Sequence, residues 1–503
     1  MISNARTSKK SWPRRVLSAA LTLTLVIAVL AGFVLAGAMV TSRNLHQSAP
    51  ATSTGTSPVS VRYAERGHSA SPAATRKDRR LVVAFVAGAN GTIASDLLAP
   101  YDIFASSPAF TAYVAADVAT AVPLEGGPAL VPTYTFADVD ADPALRPDLV
   151  VVPGLSKPEG AAEAPLRRWV TSQHDHGSRV LGVCTGAMVL AATGMLDGLD
   201  ATSHWSRISA LEASSPAVHW ERGREYVDDG SVTTSAAVTS GVPAALHLVA
   251  ELAGRAEAQR VADLHPELNW TPTRSTTIPD DHFVARDWPV GLNYVMPWFR
   301  PRIGIALGDG VGELDATAAF EVYGQSAAAG TVPLASSDAV RTRHGLVLLT
   351  TSYADAPGLS SVVVPGAGTP EALDPRLRAW AAEQRLTLEP LAGRAGRDGS
   401  GGGGFTAALQ NLGEHTDAAT TSATAKTIGY PTTGLDLGDR HQSPRTVLLA
   451  ISALTLAVLV GLGPTWLVRR RRRLRSEGAG ALGDLIPARV SACSGDGDDG
   501  SRP

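Results

Sequence analysis

Two uncharged apolar stretches bracket this chain, and between them the apolar residues fall into short runs that alternate with helically spaced segments. Residues 16–40, VLSAALTLTLVIAVLAGFVLAGAMV, are long enough to cross a bilayer as a helix. They follow Arg6, Lys9, Lys10, Arg14 and Arg15 within the segment 1–15, and the second stretch, 446–468, precedes five consecutive arginines at 469–473 and Arg475. The positive-inside rule keeps both basic flanks in the cytoplasm, which predicts a two-pass cell-membrane protein with its centre outside the cytoplasm. The first stretch reads as an uncleaved anchor. A cleaved secretory signal is the alternative, given the small residues Ala36-Gly37-Ala38, and either reading exports the central region. Within the segment 41–80, residues 47–74 are rich in Ser, Thr, Ala and Pro and predict a flexible linker. The tail 469–503 starts basic, and its part 477–503 reads as disordered.

Inside these limits the period of the pattern switches repeatedly between strand and helix. Residues 81–87, LVVAFVA, form a continuous apolar run, as expected of a strand buried on both faces. After a turn at 88–91, residues 93–104 carry apolar positions at helical spacing. Strands follow at 113–118 and 148–152, a helix at 166–172 and another strand at 179–183. Alternation of this kind predicts a parallel α/β sheet covered on both sides. Ligands of such sheets bind at the strand carboxyl ends, where Gly154 and Cys184 fall.

Charge and cysteine content narrow the function. Lys and Arg number 44 against 47 Asp and Glu over 503 residues, so no global field recommends nucleic acid. The two cysteines, Cys184 and Cys493, fall on opposite sides of the expected membrane. Cys184 is then a lone thiol in an oxidising compartment. It sits in Gly182-Val183-Cys184-Thr185-Gly186, between the strand and a helix predicted over 185–192, which is the pattern of a nucleophile elbow with sulfur in place of oxygen. Small neighbours leave room for a strained backbone at the tip, and the helix N-terminus favours the thiolate. The competing reading is a small buried hydrophobe. The Thr185 hydroxyl either orients substrate or caps the helix.

The string CTGAMVLAATGMLDGLDATSHW, followed by YVDDGSVTTSAAVTSG at 226–241 and VPAALHLVAEL at 242–252, resembles the ThiJ/PfpI family of the class I glutamine amidotransferase-like superfamily. The resemblance covers 81–264 and is strongest to isonitrile-hydratase-like enzymes and the sensor domains of AraC-type regulators. It implies an acid that assists the cysteine. In Asp96-Leu97-Leu98-Ala99-Pro100-Tyr101-Asp102-Ile103-Phe104 that position is Asp96, with Ala99 departing from the usual glycine. As a helix-starting acid Asp96 also has a purely structural alternative. Backbone amides near Gly154 and Leu155 and at Thr185 are the candidate oxyanion or substrate-binding donors; Leu155 replaces a second glycine and narrows the pocket. His204 matches a family histidine and reads as a base, a pocket wall or, the favoured alternative, a structural or peripheral residue. Thr185 stands where proteolytic relatives place a histidine, which disfavours peptidase activity. His174-Asp175-His176 reads as solvated surface rather than a metal site, and Asp228-Asp229-Gly230 as a hairpin turn.

After a connection at 265–301, residues 302–435 repeat the unit. A strand at 302–307 leads to an acid-bearing helix at 313–323, and SVVVPG at 361–366 repeats 149–154. Where an elbow is due, residues 386–404 hold a glycine run and no cysteine, and 405–431 resumes as a terminal amphipathic segment. The expected architecture is therefore two flavodoxin-like parallel-sheet modules, the second degenerate and catalytically dead, between two transmembrane helices. The second module is expected to pack on the first as a built-in partner, with homodimeric pairing as the other possibility. No helix-turn-helix pattern follows either module. The function expected is a cysteine-dependent hydratase or hydrolase for a small electrophile, without metal or organic cofactor. The rival is a non-catalytic ligand- or redox-sensing ectodomain. Expected partners are a small molecule and the membrane, and no nucleic acid.

Overall fold

The computed structural model describes residues 12–46, 79–391, 404–432, 444–445 and 447–460. The chain divides into two units, Met1–Leu35 with Leu448–Pro503, and Ala36–Val447. The first unit's described residues are helical, in the long helix α1 (Trp12–His46) and in a C-terminal segment. The stretch Thr22–Arg43 of α1 is long and apolar enough to cross a membrane and is almost wholly exposed. Among the described residues it is the only such helix. Of the second expected span, Val447–Val460 is an apolar helix too short for a crossing, and the remainder lies outside the described residues. The linker at 47–74 and the tail at 469–503 lie outside them too.

The second unit holds two parallel sheets. In the first module the strands are β1 (Leu81–Val86), β2 (Phe110–Ala116), β3 (Tyr134–Thr135), β4 (Leu149–Val152), β5 (Arg179–Gly182), β6 (Tyr226–Asp229) and β7 (Val232–Ser235), ordered β6-β7-β5-β4-β1-β2-β3. All neighbours pair in parallel except β6 with β7, the hairpin turned at Gly230. Alternation along β1 explains its unbroken apolar run. Val83 and Phe85 face one core with Leu97, Leu98 and Phe104, while Val82, Ala84 and Val86 face another with Trp169, Val170 and Leu190.

In the second module β8 (Arg302–Ala306), β9 (Gly330–Ala335), β10 (Thr351–Ser352), β11 (Ser361–Val364) and β12 (Leu388–Pro390) are ordered β10-β9-β8-β11-β12. Among the described residues this reproduces β3-β2-β1-β4-β5, with no counterpart of the hairpin. The expected terminal segment forms two helices, Gly404–His415 and Ala418–Ile428. They are separated where the Asp417 carboxylate accepts the Thr420 N–H at 2.8 Å and starts the second. The part of the degenerate elbow at 392–403 lies outside the described residues.

The acid-bearing helices of the two modules, α2 (Ala94–Ala105) and α3 (Glu313–Ser326), pack on one another. One face of α2 meets its own sheet and the other meets α3, so Ala94 through Phe104 are all buried, and the helix shows no polar face. A second seam joins the modules through antiparallel pairing of Val347 with Val131 and Leu348 with Leu130.

Leu130 and Leu348 are both fully buried. Either Leu→Ala substitution is expected to cost about 2–5 kcal/mol in denaturant unfolding. Because the two residues pair across the modules, a double-mutant cycle should return a coupling above ~0.5 kcal/mol.

Candidate active site

Cys184 occupies the tip of the turn after β5, with φ 54°, a left-handed conformation uncommon outside glycine. Its N–H donates to the Ser235 carbonyl at 3.1 Å, and its carbonyl accepts the Ser203 hydroxyl at 3.0 Å, so neighbouring segments hold the strained residue in place. Two glycines make the turn possible. A Cβ at Gly186 would lie 2.0 Å from the Val152 carbonyl oxygen, and one at Gly154 would lie 2.3 Å from the Thr185 hydroxyl and 2.7 Å from Asp96 Oδ2. The helix that follows, Gly186–Ala191, has Thr185 at its N-cap, but the Thr185 side chain makes no cap bond. Its hydroxyl lies over Gly154 instead.

Asp96, in the first turn of α2, is fully buried beside the cysteine. Its Oδ2 accepts the Gly154 N–H at 2.9 Å, and the carboxyl lies close enough to the Cys184 thiol for each to shift the other's pKa. Oδ1 meets no partner of full hydrogen-bond geometry among the described residues. Gly154 thus spends its amide on the acid, leaving the amides of Leu155 and Thr185 as the nearer candidates for an oxyanion. Leu155 is buried and bridges to Thr92. Pro100, one helical turn after Asp96, cannot donate to the Asp96 carbonyl, which loosens the helix where the acid sits.

Electrostatics at the pair depart from the elbow's sequence pattern, which predicts a stabilised thiolate. Burial pushes the Cys184 thiol well above its ordinary value, the Asp96 charge pushes it further, and the Thr185 amide only partly offsets them. Asp96 is also raised strongly, first by burial and then by Glu321. Dehydration outweighs the N-terminal field of a helix spanning only Gly186–Ala191.

Glu321 comes from α3, in the second module. Its Oε2 accepts the Ser95 hydroxyl at 2.6 Å, its Oε1 accepts from Gln325 at 2.9 Å, and burial raises it to about 7. Sequence inspection missed it, although the duplication carried the signal: Asp315 is the counterpart of Asp96, Gly404 donates to Asp315 at 3.2 Å, and Glu321 follows on the same helix. Glu125, a further charge that raises Asp96, was missed too and accepts the Ser156 hydroxyl.

His204 is not brought to the cysteine as a base. Its Nδ1 accepts the Ser206 N–H at 3.3 Å, so Nε2–H donates to the Thr427 carbonyl at 2.7 Å, and burial lowers its pKa. With Trp205, whose indole donates to the Lys426 carbonyl at 2.9 Å, it ties the first module to the second. Beside the elbow lies a cavity of about 780 Å³ walled by both modules, among them Trp205, Trp270, Phe405 and Tyr430. Ser203 and Ala236 line it, whereas Cys184 does not. His174 and His176 bond to neighbouring carbonyls at the end of their helix. Among the described residues the only carboxylate–histidine group with metal-ligand spacing is Asp102, Glu313 and His344 at the module seam.

The two sheets and the cysteine turn define an α/β protein with a thiol at a nucleophile elbow. Within that class the chain belongs to the DJ-1/PfpI family, whose profile matches residues 82–251. It is 35% identical over 172 residues to the isonitrile hydratase of Pseudomonas putida, covering 33% of this chain and 70% of that enzyme. It is 33% identical over 143 residues to the HTH-type transcriptional regulator CdhR of Pseudomonas aeruginosa, covering 28% of this chain and 42% of the regulator. Among solved structures, a ThiJ/PfpI family protein from Pseudomonas syringae aligns with a TM-score of 0.34 at 28% identity, over 40% of this chain and 81% of that one. Drosophila melanogaster DJ-1beta aligns with a TM-score of 0.32 at 23% identity, over 37% and 97%.

Asp96 is by nature the stronger acid, so it ionises first and the thiol titrates against its charge. Asp96→Asn is therefore expected to move the pH midpoint of Cys184 alkylation downward, read as rate against pH. Glu321 stays protonated in the folded chain from its ordinary 4.5 up to about 7 while the unfolded chain ionises, so it makes stability fall as pH rises through that window. Glu321→Gln should flatten this fall by roughly 3 kcal/mol, measured by denaturant melts across the window.

Proposed function

We propose that the first module is a cysteine-dependent hydratase or hydrolase for a small electrophilic substrate, presented outside the cytoplasm from a two-pass membrane anchor. One observation carries the reading: a buried carboxyl with a raised pKa is locked by the Gly154 amide against a thiol held in left-handed backbone. In this chemistry Cys184 Sγ bonds to the electrophilic carbon and the thiol proton passes by way of Asp96 to the substrate. Water then adds to the same carbon, the S–C bond breaks, and a proton returns to sulfur. The Leu155 and Thr185 amides stabilise charge that develops on the adduct. No step requires a metal or organic cofactor. Burial of a neutral thiol fits an enzyme that generates its nucleophile only with substrate in place.

The anchoring half rests on Thr22–Arg43 as an uncleaved span, with 446–468 as the second and both ends cytoplasmic. A signal sequence would leave the same modules outside. A second reading, a ligand-binding ectodomain without catalysis, is favoured by the aromatic-walled cavity that excludes Cys184. The second module, lacking a cysteine, acts in either case as the built-in partner that completes the cavity wall.

An alkyl isonitrile is the first probe, since the chain is 35% identical to an isonitrile hydratase. The full chain in detergent is expected to convert it to the N-substituted formamide. Asp96→Asn should slow turnover by about 10²–10⁴-fold, and Cys184→Ser should abolish it. Turnover that survives Cys184→Ser would overturn the enzymatic reading. Saturable binding of small ligands in the cavity, with no turnover of isonitriles or activated esters, would favour the second.

A further inference from the structure

The seam between the modules holds a group of side chains that the proposed chemistry does not use. Asp102 stands on α2, Glu313 opens α3, His344 follows in the second module, and His265 lies just after the first. His344 Nδ1 is 2.9 Å from Glu313 Oε2 and 3.5 Å from Asp102 Oδ1, and the ligand atoms of these three residues lie within 4.8 Å of one another. His265 Nε2 is 3.9 Å from Asp102 Oδ1. We propose that Asp102, Glu313 and His344, with His265 as fourth donor, bind one divalent first-row transition-metal ion, of which Zn²⁺ is the probe, and that the ion locks the two modules together.

Two observations support this. First, the spacing suits a small ion: donors about 2.0–2.1 Å from zinc in a tetrahedron stand roughly 3.3 Å apart, and the observed separations straddle that value. Second, the outer polar atoms of Asp102, Glu313 and His344 are already engaged. Asp102 fixes its other oxygen, Oδ2, on the Leu314 N–H at 3.0 Å. Glu313 fixes Oε1 on the His344 N–H at 2.9 Å, and His344 places Nε2 against the Ser106 hydroxyl at 3.4 Å. The inner atoms Oδ1, Oε2 and Nδ1 lie together, with Nδ1 sharing a hydrogen bond with Oε2 at 2.9 Å and Oδ1 accepting the Ser106 hydroxyl at 3.4 Å, and an entering ion takes the place of the Nδ1 proton. Nitrogen donors favour zinc and its neighbours over magnesium or calcium, which take oxygen. The site is structural, because its ligands come from both modules and none belongs to the elbow.

The test uses the tag-free full chain in detergent, stripped with chelator and dialysed. Calorimetric titration with Zn²⁺ is expected to show about one ion bound per chain, with a raised unfolding temperature that chelator reverses. Co²⁺ should give the intense visible absorption of a tetrahedral nitrogen and oxygen site. His344→Ala and Glu313→Gln should abolish stoichiometric binding, Ser106→Ala should weaken it by about tenfold, and His176→Ala, on the surface, should leave it unchanged. Absence of stoichiometric binding, or binding that survives both ligand substitutions, overturns the proposal. Should those two variants fail to fold, the Co²⁺ spectrum of the unaltered chain decides, and a weak octahedral spectrum counts against the site. None of these readings depends on turnover at Cys184.

Discussion

Packing α2 against α3 buries a seam of carboxylates between two sheets, and the chemistry of the chain depends on how those charges are neutralised. α2 carries Asp96 in its first turn and Asp102 further along, α3 carries Glu313 and Asp315 in its first turn and Glu321 further along, and the helices meet with approximate two-fold correspondence. Asp102 on α2 receives the Leu314 amide of α3, and Glu321 on α3 receives the Ser95 hydroxyl of α2. Buried acids are costly unless protonated or paired. At one end of the seam burial raises the pKa of Asp96 and Glu321 and favours their protonated forms; at the other, His344 and His265 gather round Asp102 and Glu313.

That arrangement gives the second module a physical reason to keep its acid helix without a cysteine. Residues of α3 cover α2, place Glu321 close enough to Asp96 to raise its pKa, and present Glu313 to Asp102. Among the described residues the second sheet runs only to β12, without the hairpin of the first module, and this suffices for the task. The His204 and Trp205 bonds to Thr427 and Lys426 extend the contact to the terminal helix and close one wall of the cavity.

Much of the fold was legible in the residues because it rests on local pattern. The run at 81–87 reads as a doubly buried strand because both faces are apolar, and Gly182 and Gly186 mark the elbow at Cys184 because a side chain at Gly182 would strike Leu190 and one at Gly186 the Val152 backbone. The assignment of Asp96 as the acid for Cys184 followed from a resemblance spanning the whole first module, whereas the Gly154 amide, expected to serve an oxyanion, bonds Asp96. The terminal segment at 405–431 read as one run because its apolar spacing continues across the break, which Asp417 makes by capping.

The sequence by itself determined the strand–helix alternation, the apolar N-terminal helix, the duplicated acid helix and the identity of the elbow cysteine, since each depends on residues near one another in the chain. Tertiary structure alone decided the protonation of the site and the place of His204. Both depend on dehydration and on groups that folding brings in from the other module: Glu321 beside Asp96, Thr427 on the His204 ring, and His344 against Asp102. Burial is a property of the assembled molecule. It turned an elbow whose local sequence favours a thiolate into one that holds a neutral thiol.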